Sequence, residues 1–319
     1  MLVLNIVLTV VGFILLIKCA DFFVDGASSF AKNLKIPTVV IGLTIVAFGT
    51  TAPEIAISFS SHLSGNTDMM FGNVMGSNVS NILLILGLAV LIRPFSIGKD
   101  AVKKEIPILL LITAGVSFLF LDIPFRGAYA NALSRSDGIV MLLLFSIFVF
   151  YLVSILTKKK PESSDTVATT RFKIPMSCVM IVGGLAGIII GSNLVVNNAA
   201  TFAETIGISQ KIISVTIISI GTSLPELVTT IIAAKKGENS LAIGNIIGSN
   251  IFNTAIVLGL PVVILGEAST TAFGIVDILF MLLAVVLLWI FSATGRKLRR
   301  YEGIVLLAVY SIYIAYIVL

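Results

Sequence analysis

Gly49-Thr50-Thr51-Ala52-Pro53-Glu54 and Gly221-Thr222-Ser223-Leu224-Pro225-Glu226 each set a proline and a glutamate inside a long apolar segment. An acidic side chain at the centre of a bilayer costs about 2.5 kcal/mol or more on insertion scales. Two such groups at matching depth therefore call for a use, and holding a cation is the simplest one. The surroundings are those of a membrane: 57% of the 319 residues are hydrophobic, 12% are charged, and the mean hydropathy is +1.11. That composition excludes a soluble domain of this length.

Working outward from the two stretches, apolar segments of spanning length recur ten times. They are predicted at 2–24, 37–62, 70–92, 106–121, 138–156, 174–200, 210–234, 241–265, 273–292 and 302–318. The fourth is short and needs extension. The basic residues fall between them with a strong bias. Odd-numbered connections hold Lys32, Lys35, Arg93, Lys99, Lys103, Lys104, Lys158, Lys159, Lys160, Arg171, Lys173, Lys235, Lys236, Arg296, Lys297, Arg299 and Arg300. Even-numbered ones hold only Arg126, Arg135 and Lys211, and Lys18 lies within the first span. The positive-inside rule makes the odd connections cytoplasmic and leaves both termini outside, in a multi-pass protein of the plasma membrane. The net charge of +5 is thereby assigned to orientation in the lipid bilayer, and no nucleic acid partner is expected. Cys19 and Cys178 have no metal-type spacing and read as packing residues.

The chain also repeats. Glu54 and Glu226, Gly72 and Gly244, Ser77 and Ser249, and Asn81 and Asn253 share one offset of 172 residues. Gly72-Asn-Val-Met-Gly-Ser-Asn-Val-Ser-Asn81 matches Gly244-Asn-Ile-Ile-Gly-Ser-Asn-Ile-Phe-Asn253 at six of ten positions. Five spans per half is an odd number, so the second half enters the membrane from the opposite side. The expected fold class is an all-α integral membrane protein, ten transmembrane helices as two inverted five-helix repeats. Residues 1–156 form the first repeat, 157–173 a polar cytoplasmic linker, and 174–319 the second repeat.

Thr50 and Glu54 are four apart and share a helix face. Pro53 and Pro225 displace the carbonyls of Gly49 and Gly221, four residues back, and each freed carbonyl must find a partner. Ser77 with Asn81, and Ser249 with Asn253, again stand at i and i+4 on the next span of each half. Glycines 72, 76, 244 and 248 let backbones approach closely. These are hard oxygen donors, suited to Na⁺ and Ca²⁺ and not to softer metals. Two carboxylates neutralise one divalent cation, or hold two or three Na⁺, but not both sets at once in a low dielectric. Mutually exclusive occupancy is what an antiporter needs.

The motifs GT[ST]xPE and GNxxGSNxxN resemble those of the sodium/calcium exchanger family of the calcium/cation antiporter superfamily, in its prokaryotic form. The resemblance covers essentially the whole chain. It implies alternating-access exchange of Na⁺ for Ca²⁺, electrogenic at three to one, with no cofactor and no enzymatic activity. It implies that Glu54 and Glu226 are the central ligands, with Thr50, Thr51, Thr222, Ser223, Ser77, Asn81, Ser249 and Asn253 beside them. It also implies that the carbonyls of Ala47 and Ser219 serve the sodium sites, and that spans 2–24 and 174–200 slide as gates. Thr51 stands where many members have Ser, which keeps the hydroxyl. Asn253 stands where the potassium-dependent branch has Asp, which argues against potassium dependence. A Ca²⁺/H⁺ antiporter or another cation/Ca²⁺ exchanger of the superfamily is the alternative, and a cation channel the weaker one. One histidine, His62, is too few for a metalloprotease and is expected to be exposed. Oligomeric state is left open, with a monomer as the default.

Overall fold

A computed structural model describes residues 2–157, 171–206 and 219–318. The expected linker 157–173 lies almost wholly outside the described residues, as does the first part of the expected span 210–234. The protein is a helical membrane protein. Among the described residues, eight helices are long and apolar enough to cross a bilayer: Val3–Asn33, Thr38–Leu63, Thr67–Ile92, Arg135–Thr157, Ile174–Thr205, Asn239–Leu265, Ile275–Ala293 and Arg300–Ile317. The short fourth segment is extended at its start. Helical backbone runs from Ala101 through the turn Ala101–Glu105 into Ile106–Phe120, so the added turn carries Lys103, Lys104 and Glu105. The described part of the seventh segment is two pieces, Ser219–Thr222 and Leu224–Lys236.

The chain divides into two compact units that cut across its sequence halves. One comprises Met1–Pro53 with Thr169–Asn245, the other Glu54–Ala168 with Ile246–Leu319. In the first unit the helices Leu2–Asn33 and Ile174–Thr205, both 32 residues long, begin and end at the offset that separates the two glutamates. They lie antiparallel: Gly12 meets Gly191 and Val195, whereas Gly26 meets Ser177 and Met180. Glycine makes this approach possible. A Cβ on Gly191 would sit 2.8 Å from the Leu16 nitrogen and 3.0 Å from the Gly12 carbonyl, both backbone atoms that cannot yield. A Cβ on Gly187 would fall on the Cys19 sulfur. Cys19 is thus a packing residue as expected, whereas Cys178 is exposed. Phe23, Val24, Ala27, Ile188 and Leu241 fill the apolar core of this unit.

In the second unit the helix Thr67–Ile92 packs against the final helix where Gly87 meets Gly303. Gly259, at the repeat offset from Gly87, meets Gly138 of helix Arg135–Thr157. Two antiparallel ribbons tie connections together here: Phe95–Ser96 pairs with Lys297–Leu298, and Asn131–Leu133 with Ala268–Thr270. Pairing satisfies backbone groups at the membrane ends of the helices, where an unpaired amide is costly.

Within each unit the contacts join connections of like parity. In the first unit, Asn33 Nδ2 donates to Phe172 O at 2.7 Å, Lys32 pairs with Glu238 at 3.0 Å, and Lys236 reaches Asp25 at 2.7 Å. These join the first, fifth and seventh connections and the helix ends beside them. In the second unit one ribbon joins the third and ninth connections, and the other the fourth and eighth. Thr67 Oγ1 donates to Ser269 O at 2.6 Å and adds the second to the eighth. Asp21 and Asp25, around the end of the first predicted span, are ion-paired with Lys236, and Asp25 also with Arg171. His62 is half-buried instead of exposed.

The close contact of the two long helices is directly testable. Gly191→Val is expected to cost about 1–3 kcal/mol through overpacking and to lower the Tm in detergent. Gly183→Val, on the same helix with nothing within 4 Å of its Cβ position, is expected to leave the Tm nearly unchanged.

Candidate functional site

The first unit carries the whole of the second PE motif and most of the first. Helix Ala47–Leu63 runs without interruption through Pro53 and is preceded by the wide π turn Gly42–Val46. The second motif behaves differently. Its helix breaks at Ser223, at φ −89° and ψ 6°, and restarts at Leu224 with Pro225 in its first turn, where a missing N–H costs nothing. The carbonyl that Pro225 frees, that of Gly221, accepts a hydrogen bond from Ser192 Oγ at 3.1 Å. The need for a partner, read from the proline, is therefore met by a hydroxyl of helix Ile174–Thr205.

Around that break the two motifs meet. Thr51 Oγ1 donates to Glu226 Oε1 at 3.3 Å, and Thr51 and Glu226 are 0% and 1% exposed. Thr50 Oγ1 lies 3.3 Å from both Ala47 O and Asn245 Oδ1. Asn245 Nδ2 in turn donates to Thr230 Oγ1 at 3.0 Å. Of the residues expected here, Ala47, Thr50, Thr51, Ser223 and Glu226 are buried and Thr222 is half-buried. Ser219 opens the piece Ser219–Thr222, and only its backbone is described. Its carbonyl is thus at the edge of the described chain.

The second unit carries Glu54, Ser77, Asn81, Ser249 and Asn253, all buried. Asn73 Nδ2 donates to Glu54 O at 3.3 Å and reaches Ser58 Oγ at 3.5 Å. Asn81 and Asn253 each begin a π turn, Asn81–Leu86 and Asn253–Val257. Such turns interrupt the α-helical ladder and recur at functional sites. Among the described residues neither the oxygen nor the nitrogen of either amide has a hydrogen-bond partner, although the two side chains are 1% and 0% exposed. A buried polar group left that way costs about 1–3 kcal/mol. An amide oxygen with open lone pairs is a ligand that Na⁺ and Ca²⁺ accept.

Four further residues support the expected ligands. Asn73 and Asn245 stand at the repeat offset, and each bonds within its own unit, Asn73 to the Glu54 carbonyl and Asn245 to Thr50. Ser58 and Thr230, which they bond, escaped the sequence reading. Their signal was present: each is four residues after its glutamate, hence one turn on along the same face. Among the described residues no three His, Cys, Asp or Glu side chains cluster as a metal centre. Each unit holds one of the two buried glutamates together with buried Ser, Thr and Asn side chains.

Helical spans with carboxylates and amides buried inside them describe a polytopic cation carrier, and the comparisons name its family. The sequence profile of the sodium/calcium exchanger protein family matches residues 4–154 and 176–319. The chain belongs to that family. It is 37% identical to inner membrane protein YrbG of Escherichia coli, over 86% of this chain and 87% of that one. It is 31% identical to sodium/calcium exchanger MaX1 of Methanosarcina acetivorans, over 97% of both. Among solved structures it superposes on the sodium-calcium exchanger NCX_Mj with a TM-score of 0.84 and 31% identity over 99% of each chain.

Asn245→Ala leaves Thr50 and Thr230 without this partner and is expected to lower stability by about 1–3 kcal/mol in thermal melts. Asn73→Ala is expected to cost less, because its two bonds are the longer ones.

Proposed function

We propose that the protein is a secondary antiporter that exchanges Na⁺ for Ca²⁺ by alternating access, with Glu54 and Glu226 as its two charged ion ligands. The observation that carries this reading is the burial of both carboxylates, at 0% and 1% exposure, in segments otherwise supplied with neutral oxygens. A carboxylate is kept in such a place only when its charge is compensated. Na⁺ and Ca²⁺ are the ions in the names of MaX1 and NCX_Mj, and both belong to the family of this chain. Thr50, Thr51, Thr222, Ser223, Ser77, Asn81, Ser249 and Asn253, with the carbonyls of Ala47 and Ser219, complete the proposed ligand set. The unbonded amides of Asn81 and Asn253 support their inclusion. So does the bond from Thr51 to Glu226, which links one motif to the carboxylate of the other.

Two carboxylates give the site a charge of −2, because Asn253 adds none. One Ca²⁺ balances it, and three Na⁺ exceed it by one, so exchange at three to one moves charge. The antiparallel pair Leu2–Asn33 and Ile174–Thr205, repeated at the offset of the glutamates, supports an inverted-repeat arrangement of ten spans. The same-parity contacts between connections support cytoplasmic odd connections and outward termini in the plasma membrane.

The test is uptake of ⁴⁵Ca²⁺ into proteoliposomes loaded with Na⁺. An outward Na⁺ gradient is expected to drive uptake, and a membrane potential is expected to change its rate. Removing one buried charge costs about 3–5 kcal/mol, so Glu54→Gln and Glu226→Gln are each expected to cut uptake about 100-fold or more. Uptake that ignores Na⁺ and follows a proton gradient would replace the Na⁺-coupled reading by the Ca²⁺/H⁺ one.

A further inference from the structure

A cavity of about 310 Å³ opens where helix Ile275–Ala293 ends and the helix of residues 101–120 begins. Lys99, Val102, Lys103, Ala293, Gly295 and Arg296 line it. All lie in one compact unit, and the ribbon of Phe95–Ser96 with Lys297–Leu298 clamps the two connections that supply them. Ile97 N donates to Arg296 O at 2.8 Å and fixes the turn beside that ribbon. The turn is an unusual one. Gly295 and Arg296 both have positive φ, at 75° and 52°, and arginine rarely takes that conformation.

Three cations thus surround one cleft, and none of them forms an ion pair with a described residue. Their near neighbours do have partners: Lys104 pairs with Asp100 at 2.9 Å, and Arg300 Nε donates to the Leu91 carbonyl at 3.2 Å. Across residues 93–105 and 294–302 there are eight basic side chains against three acidic. Like charges around a shared space repel, and an anion between them removes the repulsion. The depth of the cleft is marked by Trp289, whose Nε1 donates to the carbonyl of Val102 at 3.0 Å. Tryptophan on a spanning helix gathers at the headgroup level. Basic pockets between helix ends on the positively charged side of a membrane suit acidic headgroups.

We propose that this cavity binds the phosphate of an acidic phospholipid headgroup, held by Lys99, Lys103 and Arg296 beside the Trp289 ring. The site is separate from the ion ligands and does not depend on which cations are exchanged.

Trp289 is the single tryptophan of the chain, and its bond to the carbonyl of Val102, a lining residue, makes it a reporter beside the cavity. The full chain is placed in phosphatidylcholine vesicles containing either brominated phosphatidylglycerol or brominated phosphatidylcholine, and quenching is read. Each basic residue near an anionic surface adds about 1 kcal/mol, so half-quenching is expected at a mole fraction of brominated phosphatidylglycerol about tenfold lower or less. The triple variant K99Q/K103Q/R296Q is expected to lose the preference, and Lys99→Gln alone to weaken it if the triple variant does not fold. The neighbouring set K297Q/R299Q/R300Q is expected to keep it. Equal quenching by the two lipids overturns the proposal, and so does equal loss in both triple variants, which would reduce the effect to general surface charge. Inorganic phosphate is then added to protein in phosphatidylcholine alone. A shift of Trp289 emission by phosphate, with no preference for phosphatidylglycerol, overturns the lipid source and assigns the site to a soluble anion.

Discussion

Within hydrocarbon every charge and every backbone polar group needs a partner inside the protein. The interior of this molecule is arranged around that constraint. Glu226 takes a hydrogen bond from Thr51, and the carbonyl of Glu54 takes one from Asn73. The carbonyl released by Pro225 takes one from Ser192. Asn245 serves two helices at once, accepting from Thr50 and donating to Thr230. Within each unit these bonds hold hydroxyls and carbonyls in place beside a glutamate.

Close approach of helices makes these bonds possible, and small residues make the approach. Gly42 and Gly244 face each other in the first unit, where a Cβ on Gly42 would stand 2.7 Å from the Leu241 carbonyl. That proximity brings Asn245, next in sequence to Gly244, within reach of Thr50. In the second unit, Gly87 against Gly303 and Gly138 against Gly259 do the same for the helices that carry Asn81 and Asn253. Tight packing of this kind replaces the hydrophobic drive, which is weak between helices in lipid.

The repeats share a pattern but not a geometry. The first PE helix continues through its proline, whereas the second breaks at Ser223. Asn245 makes a 3.0 Å bond to Thr230, while the equivalent Asn73 makes longer ones to Ser58 and the Glu54 carbonyl. Ser192 has a hydroxyl for Gly221, but the residue at the same place in helix Leu2–Asn33 is Ala20. Equivalent positions of the repeat are therefore supported by unequal neighbours.

The sequence by itself determined the membrane class, the repeat offset, the positions of the buried carboxylates and the alternation of basic connections. Each follows from chemistry local to the chain: apolar length, charge placement and the proline–carbonyl clash. It underestimated the lengths of helices 2–33 and 174–205, because polar ends such as Asp25, Lys32, Asn33 and Glu204 look like connections along the chain; ion pairs to Glu238 and Lys236 cover Lys32 and Asp25 only in the folded protein. Only the tertiary structure decided which partner each polar atom takes. Ser192 for the Gly221 carbonyl, Thr230 for Asn245, and a basic cleft from two connections nearly two hundred residues apart all depend on helix crossings. The crossings are set by glycine contacts between distant segments, and no pattern of nearest neighbours along the chain encodes those directly.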